Sequence, residues 1–127
     1  MIDGIDHVMV SGPPGCEDEA RLFYGGVLGL TEMPKPDSLA GRGGCWFTAG
    51  SQQLHVGIDD RFSPALKAHP ALATRSIEEV ASALEAADCS LQWDEALGGI
   101  ERLYVDDPFG NRIEIVGHPG ELEAGPD

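Results

Sequence analysis

The apolar and polar positions fall into one order of elements, read twice along the chain. The first half opens on Ile5-Asp6-His7-Val8-Met9-Val10, a short strand pattern, followed by the turn-forming Ser11-Gly12-Pro13-Pro14-Gly15. Ala20, Phe23, Val27 and Leu28 then recur at helical spacing, with Glu17, Asp18 and Glu19 in the first turn and Gly29 as a stop, so a helix is predicted over about Asp18–Leu28. Thr31 to Pro36 reads as an edge strand, because Pro34 and Pro36 cannot sit in a sheet interior. Cys45–Thr48 and Gln53–Ile58 read as two strands joined by a turn at Gly50-Ser51.

The second half repeats this plan. His69 to Thr74 is the opening strand. Ser76 and Glu79 have capping-box spacing, and Ile77, Val80, Ala81 and Leu84 form one helical stripe, predicting a helix over Ile77–Ala87. Leu91–Trp93 is a short strand, and Glu101–Val105 with Arg112–Val116 forms a hairpin around Asp107-Pro108-Phe109-Gly110-Asn111. The expected fold is therefore α+β: two paired βαβββ modules forming a curled mixed sheet around a central, metal-binding cavity. Module one covers 1–58, a linker 59–68 and module two 69–118, together one domain over 1–118, with a flexible acidic tail over 119–127. Each half is near the length at which isolated domains are marginal, so the halves are expected to pack together, within one chain or across a dimer.

Composition narrows the function. The chain has 127 residues, with 22 acidic residues against 8 Lys and Arg, a formal net charge of −14. That balance argues against a nucleic-acid backbone and against an anionic membrane surface as partner. No apolar run has the length of a membrane span, and no secretory signal pattern precedes the first strand, so a cytoplasmic protein is expected. Cys16, Cys45 and Cys89 are odd in number and widely spaced, which suits a reducing compartment and matches no zinc-ribbon spacing.

The repeat also aligns chemistry. His7 and His69 fall on the opening strands of the two halves, and His55 and Glu114 on their last strands. Taken singly, each has an ordinary structural explanation: a lone strand His is usually a packed residue, as expected for His118, and Glu114 fits a solvated sheet face. Taken together, four metal-competent side chains occupy two pairs of equivalent positions, which favours one divalent metal site. Imidazole and carboxylate suit Zn, Ni, Mn, Co or Fe(II), and the lack of thiolate disfavours a purely structural zinc. His55 is read as a fourth ligand, a group behind the ligands, or a base. Strand alternation puts Glu114 on one face with Arg112 and Val116, opposite Ile113 and Ile115.

Ile5-Asp6-His7-Val8, the helix running from Phe23-Tyr24 to Leu28-Gly29-Leu30, and Asp107-Pro108-Phe109-Gly110-Asn111-Arg112-Ile113-Glu114 resemble the vicinal-oxygen-chelate superfamily over roughly Ile5 to Val116. That superfamily includes glyoxalase I, fosfomycin-resistance transferases, extradiol dioxygenases and bleomycin-resistance proteins. The resemblance implies paired βαβββ modules, a homodimer, and ligands at the positions of His7, His55, His69 and Glu114. Glyoxalase I typically has Glu where His55 stands. Fosfomycin transferases match at His7, His69, Glu114 and Tyr104, but have Thr where Met9 stands, and their cationic phosphonate-binding residues find no counterpart. The expected activity is that of a metal-dependent glyoxalase-like enzyme on a small oxygen-chelating substrate, by lyase, isomerase, thiol-transferase or dioxygenase chemistry. The alternative is a small-molecule or antibiotic-binding resistance protein without turnover. Glu114, His55 and Tyr104 are the candidate catalytic groups, and Trp46, Trp93, Tyr104 and Arg112 the candidate substrate contacts. Plain core packing is the competing explanation for Trp46 and Trp93, and a salt bridge for Arg112.

Overall fold

The computed structural model describes residues 1–95 and 98–118. They form two compact units that divide between Ser63 and Pro64, inside the segment 59–68. The expected tail, 119–127, lies outside the described residues.

Unit one runs β1 (His7–Gly12), α1 (Glu17–Ala20) continuing as a π-helix over Arg21–Val27, β2 (Thr31–Met33), a 3₁₀ segment (Asp37–Arg42), β3 (Cys45–Ala49) and β4 (Gln52–Ile58). Its sheet has the order β1-β4-β3-β2, with β1 parallel to β4 and the other pairs antiparallel. Alternation sends Val10, Cys45, Phe47, Leu54 and Val56 to one face, where they are buried with Ala20, Phe23 and Tyr24 of the helical segment. Tyr24 lies against Phe47 with ring centroids 6.0 Å apart. The helix departs from the expected 3.6-residue stripe: the Leu28 N–H donates to the Phe23 carbonyl, five residues back. The wider π turn moves the stripe round, so Tyr24 is fully buried while Val27 and Leu28 are only half-buried.

Unit two runs β5 (Ala71–Thr74), α2 (Ile77–Ala86), β6 (Gln92–Asp94), β7 (Arg102–Asp106) and β8 (Arg112–Gly117), with sheet order β5-β8-β7-β6 and β5 parallel to β8. Ile77, Ala81 and Leu84 of α2 are buried with Leu103, Val105, Ile113 and Ile115. The predicted capping box is not formed: Ser76 makes no side-chain cap, and its N–H instead donates to Thr74 Oγ1 at 3.1 Å. The fold is thus βαβββ twice. The mixed sheet takes the form of two open four-stranded sheets, the same in strand order and pairing. Among the described residues, no helix is long and apolar enough to cross a membrane.

Candidate metal centre

The strand registers fix which residues of the two units are equivalent. In unit one, Met9 faces His55, Trp46 faces His55, and Met33 faces Trp46. In unit two, Ala71 faces Glu114, Tyr104 faces Glu114, and Gln92 faces Tyr104. Superimposing the registers makes His55 equivalent to Glu114, and Trp46 to Tyr104. His7 lies two residues before Met9 and His69 two before Ala71, so these also correspond, although His69 precedes β5 instead of opening it. On the same grounds Gln53 corresponds to Arg112 and Thr48 to Asp106. All of these lie on the sheet face opposite the helix.

In unit one the two histidines are brought together. The His7 and His55 rings stack with centroids 4.1 Å apart, and Trp46 stacks on the other side of His55 at 3.9 Å. That three-ring stack buries His55 to 3% exposure on a face that carries no helix. Burial, and next the neighbouring His7, hold the His55 imidazole below its ordinary pKa. His7 Nδ1 lies 2.8 Å from Asp6 Oδ1, and His55 Nε2 lies 2.8 Å from Gln53 Oε1.

Unit two pairs an imidazole with a carboxylate. His69 Nε2 lies 2.9 Å from Glu114 Oε1, and His69 Nδ1 lies 2.7 Å from the Lys67 carbonyl. Two backbone bonds set this geometry: Arg112 N–H donates to the Ala65 carbonyl and Glu114 N–H to the Pro70 carbonyl, so residues 65–70 bow outward beside β8. Asn111 Oδ1 pins the start of the bow by accepting the Ala65 N–H, while its amide nitrogen donates to Asp107 Oδ2. The other Glu114 oxygen accepts from Arg102 Nη1 at 3.3 Å, and Arg102 Nη2 donates to Asp94 Oδ2 at 2.9 Å. Tyr104 presents its ring edge-on to His69, with centroids 5.4 Å apart, and carries the Arg112 guanidinium 3.9 Å above its face.

Each unit therefore gathers two of the four expected ligands. Among the described residues, no group of three or more His, Cys, Asp or Glu side chains is assembled for a metal. Tyr104 and Arg112 share the Glu114 face, and Trp46 shares that of His55. Trp93 faces Leu103, on the opposite side of its sheet from Tyr104 and Glu114, and is 46% exposed. Arg102, Gln53 and Asp6 went unnoticed in the sequence. Arg102 was legible from alternation, two residues from Tyr104 on the same strand.

The donor set fits a divalent ion. His69 stands between the Lys67 carbonyl and the Glu114 carboxylate, so a cation at Nε2 would be shared with Glu114 while Nδ1 donates to Lys67. Neighbouring ligands on one small divalent ion stand about 3 Å apart, given metal–ligand bonds of about 2.1 Å, close to the His69–Glu114 separation.

Comparison with known proteins places this geometry in a fold class and then a family. No family model and no curated protein matches the chain. Among solved structures, lactoylglutathione lyase from Agrobacterium tumefaciens superimposes with a TM-score of 0.72 at 18% identity, over 93% of this chain and 96% of that one. The fosfomycin resistance protein FosX from Listeria monocytogenes superimposes with a TM-score of 0.69 at 14% identity, over 97% of both chains. These show the vicinal-oxygen-chelate fold. A glyoxalase family protein from Bacillus anthracis is 47% identical, with a TM-score of 0.89 over 93% of this chain and 97% of that one. The chain belongs to the glyoxalase family.

Proposed function

We propose that this protein is a metal-dependent enzyme acting on a small substrate that presents two adjacent oxygens, with His7, His55, His69 and Glu114 as its ligand set. The observation that carries the reading is how the three imidazoles are held. Each has a ring nitrogen on a protein acceptor, Asp6 for His7, Gln53 for His55 and the Lys67 carbonyl for His69, and the second nitrogen of His69 faces Glu114, itself a member of the proposed set. Donation of one ring N–H to a fixed acceptor orients the ring and leaves the second nitrogen for a metal. A Zn, Ni, Mn, Co or Fe(II) ion held there supplies Lewis acidity towards the substrate oxygens. Glu114 and Tyr104 are the groups of this chain placed to move a proton or donate a hydrogen bond beside it. His55, clamped between two rings, orients its neighbours or supplies the fourth ligand.

The reading includes a homodimer. It also includes a cytoplasmic location, which suits the three free cysteines. One observation favours binding without turnover: Arg102 and His69 already partner both Glu114 oxygens. A turnover screen on 2-oxoaldehyde–thiol adducts, catechols and fosfomycin, run with and without each divalent metal, separates the readings. Metal-dependent turnover of any of these supports the enzyme. Saturable small-molecule binding that is indifferent to metal, with no turnover, supports the binding protein.

A further inference from the structure

Arg112 is oddly placed for a residue in a chain with 22 acidic side chains. Its cross-strand neighbour is Asp106, the natural counter-ion for a residue directly opposite in an antiparallel pair. Yet the Arg112 guanidinium forms no ion pair or side-chain hydrogen bond among the described residues, and lies instead over Tyr104. The equivalent residue of unit one, Gln53, is spent on its ligand, bonding His55. In unit two that task falls to Arg102, which bonds Glu114 and Asp94. Among the described residues Arg112 therefore keeps its guanidinium donors unengaged, half-buried, two residues from Glu114 on the same strand face.

We infer that Arg112, stacked on Tyr104, is an anion subsite beside the His69–Glu114 pair, and that the substrate carries a small oxyanion, a carboxylate or a tetrahedral phosph(on)ate. The inference deepens the preceding reading, and rests on it for the chemistry but not for the binding. A planar guanidinium presents paired donors that match the two oxygens of such a group. The Tyr104 ring, 3.9 Å from the Arg112 Cζ, restrains the side chain and limits the rotamer freedom lost on binding. A net charge of −14 repels anionic substrates at long range, so a local cation beside the reacting pair is what would retain one.

The test titrates acetate, inorganic phosphate and, as a neutral control, acetamide into the full chain, followed by calorimetry. Wild type, Arg112→Gln and Arg112→Lys are each measured metal-stripped and metal-loaded, with circular dichroism confirming that the variants fold. Saturable binding of acetate or phosphate, weakened at least tenfold in Arg112→Gln and less in Arg112→Lys, with no acetamide binding, is the expected result. Preference between acetate and phosphate distinguishes a planar from a tetrahedral oxyanion. Equal anion affinity in wild type and Arg112→Gln, or no saturable binding of either anion, overturns the inference. Arg112-dependent anion binding by a chain that takes up no metal keeps the subsite and sinks the metal reading. Metal uptake with anion binding indifferent to Arg112 does the reverse.

Discussion

His69 Nε2 sits 2.9 Å from Glu114 Oε1, across 45 residues of sequence, and the other nitrogen of the same ring is held by Lys67 only two residues away. The short-range contact fixes the ring plane and the long-range one gives it a partner. The bow over residues 65–70 makes both possible, because it returns the Lys67 carbonyl towards the ring while Pro70 docks on Glu114.

Asn111 is the peg of that bow. It is 3% exposed, and its side chain bonds both Ala65 and Asp107. Asn111→Ala removes the acceptor of the exposed Ala65 N–H and a donor to the buried Asp107 carboxylate, so about 1–3 kcal/mol of stability should be lost, chiefly at Asp107. Urea denaturation measures it, and metal affinity should fall in the same variant as His69 loses its anchor. An unchanged urea midpoint would contradict the role of Asn111.

Arg102 lies between Glu114 and Asp94. Arg102→Leu should lower the urea midpoint, because it strands the charge-assisted partners Glu114 and Asp94. Adding Glu114→Gln to that variant should recover part of the loss, since the stranded charge is then gone. A double variant no more stable than Arg102→Leu would show that packing, not charge, is lost.

Glu17 predicts an acid-side effect. Its carboxylate accepts the Gly44 N–H at 3.0 Å, and chiefly this bond holds its pKa below the ordinary 4.5. A depressed carboxylate stabilises the fold fully above its unfolded value and loses that contribution as pH falls through the folded one. The stability difference between wild type and Glu17→Gln should therefore be full above pH 4.5 and shrink below it. A difference that stays constant through that range would argue against the bond.

Gly44 and Gly29 give a matched contrast. Both have positive φ, 82° and 78°, but a Cβ at Gly44 would come within 2.2 Å of the Val56 carbonyl oxygen, whereas at Gly29 nothing lies within 4 Å. Gly29→Ala should cost about 1–2 kcal/mol, the strain of a left-handed alanine alone. Gly44→Ala should cost distinctly more, or prevent folding of unit one, as thermal melts would show.

The repeat was legible because strands and helices announce themselves locally. Alternation in Arg112–Val116 and the stripe Ile77, Ala81, Leu84 placed β8 and α2 within a residue or two. The equivalence of His7 with His69 and of His55 with Glu114 follows from the order of elements, whereas the contacts His7–His55 and His69–Glu114 depend on how the strands pair. What escaped depended on backbone placement. The π turn at Arg21–Val27 needs no special side-chain pattern, so a regular helix was the natural expectation. Ser76 and Glu79 had the right spacing for a cap, but Thr74 reached the Ser76 N–H first. Trp93 sits on a three-residue edge strand, too short for alternation to reveal its face. Arg102 was missed because its partners, Asp94 and Glu114, meet it only across strands.

If His69 and Glu114 belong to a metal site, the metal content of the purified chain depends on Glu114. Wild type, Glu114→Gln and His118→Gln are purified without chelator, confirmed folded, and assayed by mass spectrometry for divalent metals. His118 serves as control because, among the described residues, its bond to the sheet is a backbone one, the N–H donated to the Thr74 carbonyl. Wild type and His118→Gln should carry bound divalent metal, and Glu114→Gln should lose most of it. Equal metal content in the two variants, or none in any of the three after incubation with Zn, Ni, Mn, Co or Fe(II), would contradict the metal site.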